Sequence, residues 1–170
     1  ELVDALYAHI PSGVGSTGQL KLSEKEEKKV LRQGSRWAVA RGFGSEQDLA
    51  RTEDGGCLDG ADPAAVSRRA LDRGQKQLGT LGSGNHFLEV GVVDEIFEPE
   101  AARTFGLFKG QVTVMLHTGS RGFGYQVCDD FLGELSRGIS KLGFPLPDRQ
   151  LACAMIQSEP GPRYLSAMAC

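Results

Sequence analysis

The placement of glycine limits what this chain can fold into more than any other feature. Its 23 glycines do not form a tract. They gather where apolar runs begin or stop, as in G-S-G-N-H-F-L-E at 82–89 and H-T-G-S-R-G-F-G at 117–124. Glycine takes left-handed backbone at no steric cost, so such clusters predict tight turns between short regular elements. The 170 residues are enough to bury a proper core. No run is apolar for long enough to cross a membrane as a helix, and no signal peptide is recognisable. The chain opens on Glu1 rather than methionine, and Cys170 sits inside an apolar helical pattern. It is therefore expected to be an excerpt, the central part of one larger catalytic domain.

The pattern between the turns predicts an α+β fold. A short helix is expected over 1–9, followed by the loop I-P-S-G-V-G-S-T-G. Ser23 and Glu26 have capping-box spacing and open a helix through S-E-K-E-E-K-K-V-L-R-Q-G-S-R-W-A-V-A-R-G at 23–42. Lys25, Lys29, Arg32 and Arg36 fall on one face of it, most simply a solvated one, with Val30 and Trp37 on the buried side. Asp62-Pro63 predicts an N-cap and first turn of a helix to about Arg73. Alternation over Phe87, Val90 and Val92 predicts a strand, then a helical spacer over roughly 98–105. Q-V-T-V-M-L predicts a second strand running directly into His117. A long helix is expected over about 125–142, with Val127, Phe131, Leu135 and Ile139 on one stripe. Pro160 and Pro162 precede a closing helix.

A net charge of −3 argues against coating nucleic acid by bulk electrostatics, though not against local recognition by a few arginines. Cys57, Cys128, Cys153 and Cys170 form no C-x-x-C pair. Without a secretion signal they read as reduced cytosolic thiols, packed as small apolar groups, and so as a cytoplasmic protein. T-E-D-G-G-C-L-D-G-A at 52–61 lacks the spacing of a calcium loop.

The chemistry lies in the two histidine turns. Gly82 and Gly84 allow close backbone approach, and Asn85 and His86 present an amide and an imidazole beside the strand. Strand alternation would put Asn85, Phe87 and Glu89 on one face and His86 on the other, a nucleotide on one side and a metal opposite. His117 ends the second strand, and Arg121 stands near a helix start, where amides and a guanidinium make an anion site. Imidazoles suit divalent metals from manganese to zinc. Two histidines in such turns point to metal at a site handling phosphate, though catalytic metals take three or more protein ligands. Among Glu89, Asp94, Asp129 and Asp130 no spacing selects the remainder. His9, beside a loop lacking any phosphate-binding fingerprint, and Tyr125 read as structural.

At these residues the chain resembles the RtcB family of GTP-dependent RNA-splicing ligases. L-G-T-L-G-S-G-N-H-F-L-E and H-T-G-S-R-G-F-G-Y-Q-V carry the likeness. It extends through R-W-A-V-A-R-G-F-G, E-D-G-G-C-L-D-G-A-D-P and Q-L-A-C-A-M-I-Q-S-E-P-G-P-R-Y-L-S-A-M-A-C, nearly the whole chain. The resemblance implies joining of RNA ends bearing a 2′,3′-cyclic phosphate or 3′-phosphate to 5′-hydroxyl ends, in transfer-RNA splicing or RNA repair. It implies GTP, two manganese ions, a guanylylated histidine and an archease-type activator. Carried over, His86 and His117 would each bind one metal, Asn85, Phe87 and Glu89 would contact guanylate, and Arg121 the phosphates. Other family metal ligands sit in a D-x-x-C-G motif and in further histidines, none of them present here, so the excerpt is expected to be inactive alone. Gly122-Phe123-Gly124-Tyr125-Gln126 stands where many members have G-L-G-H-Q. A metal-dependent phosphoesterase or nuclease, and a nucleotide- or RNA-binding module without chemistry, are the alternatives.

Overall fold

A computed structural model describes residues 1–139, 142–148 and 150–170. The chain divides into two compact units. The first comprises Glu1–Gly18 and Gly79–Gly119, the second Gln19–Leu78 and Ser120–Cys170.

The first unit holds α1 (Leu2–His9), β1 (Phe87–Val92), α6 (Pro99–Phe105) and β2 (Val112–His117). The strands pair antiparallel with Phe87 opposite His117 and Val92 opposite Val112, and Val93 donates to the Gln111 carbonyl to extend the ladder. Directly opposed residues share a face. One face therefore carries Leu88, Val90 and Val92 against Leu116, Val114 and Val112. The other carries Phe87, Glu89 and Gly91 against His117, Met115 and Thr113. The turn after α6 follows from Gly106, whose left-handed φ of 70° lets Leu107 donate back to the Ala102 carbonyl. Both strands and the spacer helix lie where the sequence pattern places them.

The second unit is helical: α2 (Glu24–Gln33), α3 (Ser35–Ala40), α4 (Glu46–Ala50), α5 (Arg68–Gln77), α7 (Arg121–Gly138) and α8 (Pro160–Met168). Its core gathers Leu31, Val66, Ala70, Leu71, Val127, Phe131 and Ala167. Val127, Phe131 and Leu135 of the expected stripe are buried and Ile139 is partly so, while residues 140–141 of that expected helix lie outside the described residues. Ser23 accepts from the Glu26 amide at 3.3 Å, the N-cap half of the expected capping box, while the Glu26 carboxylate takes Lys29, Trp37 and Arg41 instead.

The single helix expected over 23–42 is two. Gly34 turns left-handed (φ 51°), and a Cβ there would collide with the Gly56 carbonyl oxygen. The break separates Arg36 from the basic face. Its guanidinium instead donates to the Gly55 carbonyl at 3.2 Å. Trp37 is buried as expected and donates to Glu26, which also takes Arg41 at 2.6 Å. Asp62 does cap a first turn at Pro63, but only as a short 3-10 segment, and Ser67 then caps α5 separately. In the other direction, α7 starts four residues before the expected Tyr125. Gly122, which read as loop, instead lets α5 and α7 close up, while Gly124 makes room for the Ser120 side chain at the helix start. A Cβ at Gly122 would stand 2.7 Å from Gln77 Oε1, and one at Gly74 3.0 Å from the Phe123 ring.

Candidate functional site

The histidine end of the hairpin is built by backbone hydrogen bonds. Leu81 donates its amide to the Pro11 carbonyl at 2.9 Å, and Gly13 donates to the Gly82 carbonyl at 2.7 Å. Gly79, Gly82 and Gly84 take φ values of 77°, 118° and 74°, which side chains rarely adopt. This path brings the Leu81 carbonyl to 3.1 Å from His86 Nδ1. A carbonyl oxygen only accepts, so Nδ1 carries the proton, and in the neutral ring the lone pair is on Nε2. Metal-ligating histidines are oriented in this way, one ring nitrogen donating to a backbone carbonyl and the other turned to the ion. The same oxygen accepts from Thr118 Oγ1 at 2.5 Å.

His86 lies just before β1, so strand alternation does not govern it. Its ring sits 5.9 Å from that of His117, and the Phe87 ring meets His117 edge-on at 5.5 Å. The expected division, metal on one side of the strand and nucleotide on the other, gives way to three rings gathered at one end. Glu89 shares the Phe87 and His117 face and is exposed, and Asn85 is exposed in the preceding turn. A Cβ at Gly119 would lie 3.7 Å from His86 Nε2, so glycine there keeps bulk away from that nitrogen. His9 is exposed in the last turn of α1.

Arg121 belongs to the second unit and is the first residue of α7. It holds a left-handed φ of 54°, sparsely populated by residues with a side chain and a form of strain that clusters at functional sites. The amide of Gly122 at this helix start is bonded to Gln77 Oε1 at 2.8 Å. Behind it, buried Gln126 accepts from Arg73 at 2.9 Å and donates to Asp130 at 2.7 Å. Asp130 also accepts from Ser67 at 2.5 Å. Tyr125, expected to pack, is 65% exposed with the Arg73 guanidinium 5.2 Å from its ring centre. Sequence reasoning passed over Leu81, Thr118, Gln77 and Gln126. A hydroxyl directly after a candidate ligand was the available signal for Thr118, whereas the Leu81 oxygen is backbone and leaves no mark in a sequence.

Among the described residues no three His, Cys, Asp or Glu side chains gather closely enough to hold an ion. The two imidazoles fit a metal as part of a shell. Cys57 instead donates its thiol to the Arg32 carbonyl at 3.1 Å, and all four cysteines are free thiols. Among the described residues no helix is long and apolar enough to cross a membrane.

Fold and site together define an α+β protein that presents paired imidazoles at the glycine-turned end of a β-hairpin. The chain belongs to the RtcB family: the family signature described as tRNA-splicing ligase RtcB matches residues 1–170. It is 57% identical to the tRNA-splicing ligase RtcB of Pyrococcus horikoshii, over 99% of this chain and 19% of that protein. Against the protein of the same name from Archaeoglobus fulgidus it is 54% identical, over 99% of this chain and 35% of that one. For Methanocaldococcus jannaschii the figures are 49%, 100% and 18%. The chain thus spans between a fifth and about a third of the length of these relatives.

Proposed function

We propose that this chain forms part of the catalytic centre of an RNA ligase that uses GTP and two manganese ions. It would join 2′,3′-cyclic phosphate or 3′-phosphate RNA ends to 5′-hydroxyl ends, in transfer-RNA splicing or RNA repair in the cytoplasm. The relatives, tRNA-splicing ligases by name, support ligation in tRNA splicing. The observation that carries the site assignment is the Leu81 carbonyl facing His86 Nδ1 beside His117. It leaves the lone pair of His86 on Nε2, the arrangement a divalent cation needs.

In this reading His86 and His117 each hold one ion. The ions supply charge neutralisation at the phosphoryl centre and activation of the attacking oxygen. Asn85, Phe87 and Glu89 hold guanylate: the amide and carboxylate offer hydrogen bonds and the phenyl ring a stacking surface. Arg121 offers a planar fork suited to phosphate oxygens. Transfer RNA with these ends is the substrate class, and an archease-type protein the activating partner. The remaining metal ligands, and the histidine that takes up guanylate, are assigned to no residue of this chain.

The test uses the protein in the longest form its gene encodes, with Mn²⁺ and labelled GTP. An acid-labile covalent GMP adduct should form, and 5′-hydroxyl RNA should be joined to cyclic-phosphate RNA. His86→Ala and His117→Ala should lose both. RNA cleavage without GTP consumption would indicate a phosphoesterase or nuclease instead. Unchanged metal content in both variants would indicate a binding module.

A further inference from the structure

We infer that Thr118 is a positioning residue for His86, acting through the Leu81 carbonyl, an inference that rests on the metal-site reading above. The geometry is direct. The Leu81 oxygen receives the Thr118 hydroxyl at 2.5 Å and faces His86 Nδ1 at 3.1 Å, so its two lone pairs serve two donors. Both donors have a fixed direction, because a carbonyl cannot donate. One of them follows His117 at the end of β2, and the other precedes β1. A single backbone atom therefore joins the two arms that carry the imidazoles.

The segment bearing that atom is held at few points along its backbone, among them the Gly82 carbonyl, which accepts from Gly13 at 2.7 Å, and the buried Thr80 beside Leu81. Gly79, Gly82 and Gly84 carry no side chains to pack, and their left-handed backbones are open to neighbouring conformations. The Leu81 amide is held by Pro11, which sets the segment on one side. The Thr118 hydroxyl ties it to β2 on the other. Removing that hydroxyl leaves the carbonyl freer to swing, and with it the Nδ1 contact that holds the ring and its tautomer. Thr118 is exposed, so water competes for the bond. Its effect belongs at the lower end of what outer partners of metal ligands show, about tenfold in metal affinity.

The experiment measures Mn²⁺ binding by the loss of the free-ion paramagnetic resonance signal, in the protein in the longest form its gene encodes. Thr118→Val keeps the shape and removes the donor, Thr118→Ala removes hydroxyl and methyl together, and Thr118→Ser keeps the donor. Val and Ala should both weaken binding about tenfold, and Ser should restore it to within about twofold of wild type. Nitrogen NMR of the metal-free protein should show the His86 proton wholly on Nδ1 in wild type and Ser, and divided between the two nitrogens in Val and Ala. Wild-type binding in the Val and Ala variants overturns the inference, whether or not their thermal midpoints fall, and so does a Ser variant as weak as Val. His86→Ala separates the two levels. If it loses Mn²⁺ while Thr118→Val does not, the positioning role fails and the metal site stands. If it binds Mn²⁺ as wild type does, the metal-site reading fails and takes the positioning role with it.

Discussion

Gln126→Leu tests whether a buried polar tie, rather than apolar contact alone, holds α5 to α7. Gln126 is 1% exposed, the largest fully buried side chain described, and its amide is used at both ends. Oε1 accepts from Arg73 at 2.9 Å, and Nε2 donates to Asp130 at 2.7 Å. A hydrogen bond to a charged partner contributes about 1.5–3 kcal/mol, so two would suggest about 3–6 kcal/mol. Arg73 and Asp130 are exposed residues, however, and water replaces much of what they lose. Asp130 also keeps its Ser67 hydroxyl. Leucine has nearly the volume of glutamine and returns about 1 kcal/mol of apolar transfer. The net loss is then about 1–2 kcal/mol, or a fall of about 4–9 °C in thermal midpoint for a unit of this size. Calorimetry at pH 7 measures it, and a double-mutant cycle with Arg73→Ala, the partner on α5, assigns it. The cycle should return a coupling of about 1 kcal/mol. An unchanged or raised midpoint, or a coupling of zero, would refute the tie and leave Val127 and Phe131 as what holds the two helices together.

Gly34→Ala should be among the most damaging single-methyl changes, costing about 2–4 kcal/mol in chemical denaturation, because the added Cβ meets the fixed Gly56 carbonyl as well as a left-handed backbone. Gly42→Ala, equally left-handed but with nothing near its Cβ, should cost only about 1 kcal/mol. Burial pushes the Glu27 carboxyl above its ordinary value of 4.5, so folding favours its neutral form. That contribution is full below pH 4.5 and is lost as pH rises through the higher folded value. Glu27→Gln should therefore raise the midpoint at pH 7 and make no difference below pH 4, and equal gains at both would refute the burial argument. Gly119→Ala sets its methyl 3.7 Å from His86 Nε2, an ordinary contact for a bare ring. It should leave the thermal midpoint alone and weaken Mn²⁺ binding about tenfold in a titration, with unchanged affinity counting against Nε2 as the ligand atom.

Those positions also show what a sequence discloses and what it withholds. The hairpin was legible because β1 and β2 announce themselves locally, by apolar residues in short runs bounded by glycine. His86 and His117 were legible as residue types in unusual turns, and Arg121 as a cation at a helix start. The break at Gly34 was not, because the helical period continues across it. Its cause is the carbonyl of Gly56, which approaches only in three dimensions. Glycines 122 and 124 misled in the opposite sense: read as turn formers, they are close-packing positions inside α7, Gly122 against α5 and Gly124 against Ser120. The gathering of His86 with Phe87 and His117 was hidden by one residue of register, since strand alternation starts at Phe87. Hardest to foresee was Leu81, an apolar residue whose contribution is its carbonyl.

The shared carbonyl also bears on how the chain assembles. Residues 79–119 leave the helical unit after α5 and return before α7, so the two helices must find each other across 45 positions between Gln77 and Gly122. Leu81 and Thr118 span 37 of those positions, leaving 8 once the hairpin has formed and its ends are joined. Loop-closure entropy grows as the logarithm of length, so that shortening makes the pairing of α5 and α7 about 1.5 kcal/mol less costly. A contact distant in sequence becomes nearly local. The threonine beside the candidate metal site thus doubles as a clasp that shortens the excursion between the two helices.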